Sequence, residues 1–108
     1  MKNVIVSAAG IALCAGFIIL FGGNASGASQ SGEELFKKNC SVCHVDGGNI
    51  INPQKTLQKK DREANNIKTA NDIIKRMRNP GPGMTEFNQK TISDKDAHKI
   101  AEYILKTF

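Results

Sequence analysis

From Val4 to Phe21 the chain runs without a single charge, and from Ser31 onward apolar residues recur three and four positions apart with charged residues between them. The two patterns divide the molecule. The apolar run follows Met1-Lys2-Asn3 and relaxes into Gly22-Gly23-Asn24-Ala25-Ser26-Gly27-Ala28. A short basic start, an apolar middle and a small-residue end, with Ser26 and Ala28 placed for a peptidase, is the order of a secretory signal peptide. Residues 1–28 are therefore expected to be cleaved and residues 29–108 to form one domain. The run also approaches the length that crosses a bilayer, so an uncleaved membrane anchor is the alternative. Lipidation at Cys14 is a third reading, but Leu13 is large where such a site prefers a small residue, and Ala15 to Phe21 would remain as an apolar tail. In each case the folded part lies outside the cytoplasm, in the periplasm or another extracytoplasmic space.

The remaining pattern predicts helices. Ser31-Gly32-Glu33-Glu34 reads as a capping box that opens a helix carrying Leu35 and Phe36. Asp46-Gly47-Gly48-Asn49 is a turn cluster, and Ile50-Ile51-Asn52-Pro53 is loop rather than strand. Lys55 to Ala64 has moderate helix propensity around Leu57 and is broken by Asn65-Asn66. Thr69 or Asn71 can cap the next helix, in which Ile73, Ile74 and Met77 share a face, and Pro80 ends it. A last helix starts at Ser93, with Asp96 three residues on, and carries the stripe Ala97, Ile100, Ala101, Ile104, Leu105 and Phe108. The expected architecture is all-α, about four short helices.

A domain of this size buries too little apolar surface to be secure without a staple. Loss of the leader removes Cys14, which leaves two of the three cysteines, so no disulfide is expected to supply one. Those two stand in Cys40-Ser41-Val42-Cys43-His44, the covalent attachment signature of c-type haem. Thiols about one helical turn apart can add to the two porphyrin vinyl groups, and His44 is then delivered beneath the iron as proximal ligand. A thioredoxin-like dithiol would need a βαβ setting, which the pattern does not offer. A structural zinc site would need a second Cys/His pair, and only His98 and the leader's Cys14 remain. The porphyrin is thus the expected centre of the core, and the apoprotein is expected to be largely unfolded.

The formal charge of +5 becomes +4 when Lys2 leaves with the leader. A mildly basic surface suits an acidic protein partner. The lysines are scattered and the aromatics few, so nucleic acid is not an expected partner.

Three residues are candidates for the second axial position. Met84 lies in Asn79-Pro80-Gly81-Pro82-Gly83-Met84-Thr85-Glu86-Phe87, where two prolines restrict the backbone and two glycines permit tight turns, so a thioether can be held at a fixed point. Met77 sits on the apolar face of its helix and reads as core. His98, between Ala97 and Lys99, reads as a surface residue. His44 and Met84 are the expected axial pair. Ile50, Ile51, Pro53, Leu57, Met77 and Phe87 are the expected apolar surround.

With these residues the chain resembles a class I cytochrome c, through Gly32-x-x-Leu35-Phe36-x-x-Asn39-Cys40-Ser41-Val42-Cys43-His44, the Met84 loop, and Ala101-Glu102-Tyr103-Ile104-Leu105. Asn49 to Leu57 is similar to the small soluble cytochromes that, in photosynthetic cells, carry electrons to photosystem I. Thr85 follows Met84 where those members usually carry proline, and Arg76 stands where they carry glutamine. The resemblance implies that Gly32 and Phe36 pack against Tyr103. It also implies that a backbone carbonyl between Asn49 and Pro53 accepts the proton on the far nitrogen of His44. The function it implies is that of a monomeric, non-enzymatic, single-haem electron carrier, exchanging electrons with redox proteins or membrane oxidoreductase complexes. A haem-based gas sensor or peroxidase-like protein, in which Met84 is displaced, is the alternative. Lys37, Lys38, Lys55 and Arg76 are candidates for the rim at which a partner docks.

Overall fold

A computed structural model describes residues 29–108, and the leader lies outside the described residues. Four α-helices follow in order, α1 Gly32–Asn39, α2 Lys59–Ala64, α3 Ala70–Arg78 and α4 Asp94–Thr107, with one short 3-10 turn at Val45–Gly47. No strand occurs among the described residues.

Helix α1 begins where its capping chemistry dictates. The Ser31 hydroxyl accepts from the Glu34 amide, and the Glu34 carboxylate accepts from the Ser31 amide, so two of the orphan donors are satisfied. Glu33 and Glu34 lie in the first turn and Lys37 and Lys38 in the last, each favourable to the helix dipole. The buried face is Leu35 and Phe36.

Helix α2 starts at Lys59, four residues after the propensity-based start at Lys55. Side chains explain the delay. Asn49 Nδ2 donates to the Lys55 carbonyl, the Lys55 amide donates to the Asn52 carbonyl, and Thr56 Oγ1 accepts from the Gln58 amide. The groups that a helix over 55–58 would need are thus engaged in turns.

In α3, Thr69 is the cap and Asp72 completes the box, which settles the choice between Thr69 and Asn71. The helix stops at Asn79, the residue before Pro80. Ser93 caps α4 by accepting from the Asp96 amide, without the reciprocal bond from Asp96.

The core is made by α1, α3 and α4, with Ile92 from the segment before α4: Leu35, Phe36, Ile73, Met77, Ile92, Ala97, Ile100, Ala101 and Ile104 are all buried. Of the stripe expected on α4, Leu105 and Phe108 are only partly buried and pack against that cluster. Phe36, Tyr103 and Phe108 form an aromatic triangle, with ring centroids 5.3, 5.5 and 6.0 Å apart.

The α1–α4 crossing depends on Gly32. A Cβ there would lie 2.2 Å from the Lys99 carbonyl oxygen and 3.0 Å from the Tyr103 Cβ. The first obstacle is helix backbone, which cannot swing aside as a flexible side chain can. Gly32→Ala is therefore expected to destabilise the protein by roughly 1–3 kcal/mol, despite alanine's better helix propensity. Chemical denaturation of the haem-loaded protein checks this, and an unchanged midpoint would show that the crossing can relax.

Candidate functional site

The first helix ends in the cysteine motif. The Cys40 amide donates to the Phe36 carbonyl at 2.8 Å, and the Cys40 carbonyl accepts from the Cys43 amide at 3.2 Å and the His44 amide at 2.9 Å. Residues 40–44 are thereby wound into one closed turn, which holds both sulfurs and the imidazole on a short rigid segment. Neither Cys40 nor Cys43 is in a disulfide.

Burial pushes the Cys40 thiol up to about 11. Cys40 also caps the C-terminal, partially negative end of α1, where a thiolate is disfavoured. A disulfide-exchange cysteine needs the opposite environment, a depressed pKa at a helix N-terminus. The dithiol-redox reading fails on this ground as well as on the lack of strands among the described residues.

Both cysteines, His44 and Met84 line one cleft of about 310 Å³. Ile51, Leu57, Met77 and Phe87 share that lining, joined by Ile73, Ile100 and Ile104 from the core. Ile50 and Pro53, expected at the cofactor, are not part of the wall. The reason is local: Asn49 Oδ1 accepts from both the Ile51 and Asn52 amides, which forms an Asx turn that leaves Ile50 outward and 65% exposed.

His44 Nδ1 lies 2.7 Å from the Gly48 carbonyl oxygen. Since a carbonyl can only accept, Nδ1 carries the proton and Nε2 keeps its lone pair for a metal. The acceptor is thus one residue before the Asn49–Pro53 loop in which the resemblance placed it. The 3-10 turn brings it there: the Gly47 amide donates to the His44 carbonyl, and the Gly47 carbonyl accepts from the Leu57 amide.

Met84 stands on an exposed loop at 36% exposure and is one of the residues that line the cleft. Gly83 has φ +90, and a Cβ built on it would lie 3.2 Å from the Ile51 side chain. Glycine therefore provides both the left-handed backbone and the close approach to Ile51 that this loop needs. Met77 is buried and lines the cleft, while His98 is exposed on α4 and does not. Lys55 and Arg76 are exposed on the cleft lining, whereas Lys37 and Lys38 are exposed on α1 away from it.

Sequence reasoning missed Arg78, which ties down the far end of the Met84 loop. One guanidinium nitrogen donates to the Phe87 carbonyl at 2.8 Å and to the Ile92 carbonyl at 2.9 Å; the other donates to Asp94 at 2.8 Å. The Phe87 amide in turn donates to the Met77 carbonyl. An arginine in a run of basic residues gives no hint of such contacts. The Arg78 hydrogen bond holds the Asp94 carboxyl below its ordinary range. A depressed carboxylate stabilises the fold above its unfolded pKa, and that contribution is lost as pH falls below about 4. Arg78→Gln is expected to cost about 1.5–3 kcal/mol through the lost carbonyl contacts. It should also flatten the acid limb of the stability profile. Urea titrations across pH check both, and a parent-like profile would remove Arg78 from this role.

A four-helix fold that brings a Cys-x-x-Cys-His turn, a proton-fixed imidazole and a loop methionine onto one apolar cleft defines a class I cytochrome c. The chain belongs to that family, and residues 27–104 match the family described as Cytochrome C oxidase, cbb3-type, subunit III. It is 36% identical over 107 residues to Cytochrome c6 of Cyanidium caldarium, covering 96% of this chain and 92% of that one. Among solved structures, OmcF, the outer membrane cytochrome F of Geobacter sulfurreducens, is 47% identical. That likeness has a TM-score of 0.71 and covers 72% of this chain and 99% of that one. Cytochrome c6 of the diatom Phaeodactylum tricornutum is 32% identical, with a TM-score of 0.63, covering 69% of this chain and 87% of that one. The protein is a single-haem electron carrier rather than an enzyme, and its cofactor is one covalently bound haem c.

Proposed function

We propose that Cys40 and Cys43 would hold the haem through thioethers and that His44 Nε2 and the Met84 sulfur would be the protein ligands of its iron. In this reading the protein passes single electrons between extracytoplasmic redox partners. The observation that carries it is the His44 Nδ1 contact with the Gly48 carbonyl, because it leaves Nε2 as a ligand in the same cleft as both thiols and Met84.

The bound haem supplies a metal that alternates between ferric and ferrous states. Everything else is done by the chain. The Gly48 carbonyl fixes the tautomer and the ring orientation of His44. The Met84 sulfur would be a second iron ligand, which would deny that position to other ligands and favour the ferrous state. Ile73, Met77, Phe87, Ile100 and Ile104 keep the lining apolar, which disfavours the additional charge of ferric iron. Arg78 limits movement of the Met84 loop at its Phe87 end, which keeps ligand rearrangement between the two states small. Lys55 and Arg76 provide positive charge beside the cleft for brief docking to an acidic partner, of the kind that buries little area and separates quickly.

Residues 1–28 are assigned the role of an export signal, on the strength of their basic, apolar and small-residue order. Among the described residues no helix is long and apolar enough to cross a membrane.

The test is a reversible redox titration together with carbon monoxide titration of the reduced protein at neutral pH. A one-electron transition without carbon monoxide binding is expected. Tight carbon monoxide binding would replace the carrier by the sensor or peroxidase-like protein.

A further inference from the structure

Arg62 is the one charged residue buried among the described residues, at 4% exposure. It lies on α2 and lines the cleft. Its Nε donates to the Leu57 carbonyl at 2.7 Å, which fixes the guanidinium against the loop that enters the helix. Neither terminal nitrogen has a hydrogen-bond or ion-pair partner among the described residues. No enclosed side-chain nitrogen or oxygen is left unpartnered there, so these two nitrogens border open space. For a residue this buried, that space is the cleft.

A guanidinium cannot shed its proton, and burying it without a counter-charge is costly. The cleft does not balance it. Lys55 and Arg76 add further positive charge, and the one carboxylate on the lining, Asp61, is held by the Thr56 hydroxyl at 2.5 Å with no ion pair to Arg62. The remaining source of negative charge is the cofactor, whose porphyrin carries propionate carboxylates. A planar fork of N–H donors matches a carboxylate in two-point geometry, which a lysine ammonium does not.

We propose that Arg62 binds a haem propionate through its two terminal nitrogens and holds that carboxylate inside the cleft as an ion pair. This rests on the haem-binding reading above. It adds a second, non-covalent point of attachment, and it places a fixed positive charge beside the redox centre. In sequence the residue stands within Lys59-Lys60-Asp61-Arg62-Glu63, a run of charged residues that does not set it apart.

Nuclear magnetic resonance of the reduced, diamagnetic holoprotein with labelled arginine tests the contact directly. The terminal N–H protons of Arg62 are expected as separate, slowly exchanging signals, with Overhauser contacts to the carboxyethyl protons of the porphyrin. Signals averaged with water and lacking those contacts would overturn the proposal. A second measurement compares midpoint potentials at neutral pH. Arg62→Leu is expected to lower the potential, because the unpaired propionate charge then favours ferric iron, and Arg62→Lys is expected to retain most of the parent value. An unchanged potential in the leucine variant would also count against the pairing. Parent protein without a Soret band would instead defeat the haem-binding reading itself, so the two failures are distinguishable.

Discussion

Replacing Cys40 and Cys43 together by alanine is expected to give exported protein with no Soret absorption and no cooperative melting transition. The magnitude follows from the cleft. At about 24 cal/mol per Å³ of unfilled volume, a cleft of about 310 Å³ costs up to roughly 7 kcal/mol when no porphyrin occupies it. Water entering from the open side reduces that figure, but a domain this small has only about 5–15 kcal/mol in hand. Arg62 adds to the cost, since its charge would face the cleft without a partner. Circular dichroism and differential scanning calorimetry of the double variant read the outcome. A sharp, cooperative transition would show that α1, α3 and α4 hold together through the Phe36, Tyr103 and Ile100 contacts alone.

Replacing Met84 by alanine is expected to open the sixth coordination position while leaving the helices intact, because the side chain lies on an exposed loop outside the buried core. The reduced variant should bind carbon monoxide. Its midpoint potential should fall on the order of 0.1 V, a modest part of the ~0.8 V span that axial ligation controls. For a one-electron couple each 59 mV is a tenfold change in equilibrium constant, so such a fall would reverse the direction of exchange with many partners. The charge-transfer absorption of sulfur-ligated ferric iron should disappear with it. If potential and absorption both match the parent, the sixth ligand is another residue, and the buried Met77 on the cleft wall is the first to test.

The helices were legible because their determinants are local. Ser31, Thr69 and Ser93 each act as caps, Pro80 ends α3, and the apolar stripe of α4 is buried at Ala97, Ile100, Ala101 and Ile104. The Phe36–Tyr103 contact and the close approach at Gly32 agree with the family resemblance. What the pattern misplaced lies in the segment between the histidine and α2. There Asn49 side-chain bonds decide the path, delaying α2 to Lys59, turning Ile50 outward and leaving Pro53 off the wall. Such bonds have no periodicity to reveal them. The acceptor for His44 was misplaced by one residue for a related reason: the 3-10 turn, with Asp46 at φ 49, draws the Gly48 carbonyl back to the imidazole.

The arginines mark a second limit. Arg62, Arg76 and Arg78 stand among other charged residues on α2 and α3, yet one is buried in the cleft, one is exposed at its rim and one pins the Met84 loop. Their different roles are set by long-range neighbours, Leu57 for Arg62 and Phe87, Ile92 and Asp94 for Arg78. Residue type and spacing carry no trace of these contacts.

The most direct test of a covalently attached haem is extraction of the purified, exported protein with acidified acetone, followed by absorption spectroscopy of the precipitate and the solvent. The Soret band is expected to stay with the polypeptide after acid has broken the axial bonds. Pigment recovered in the solvent, or no Soret band in either fraction, would contradict it.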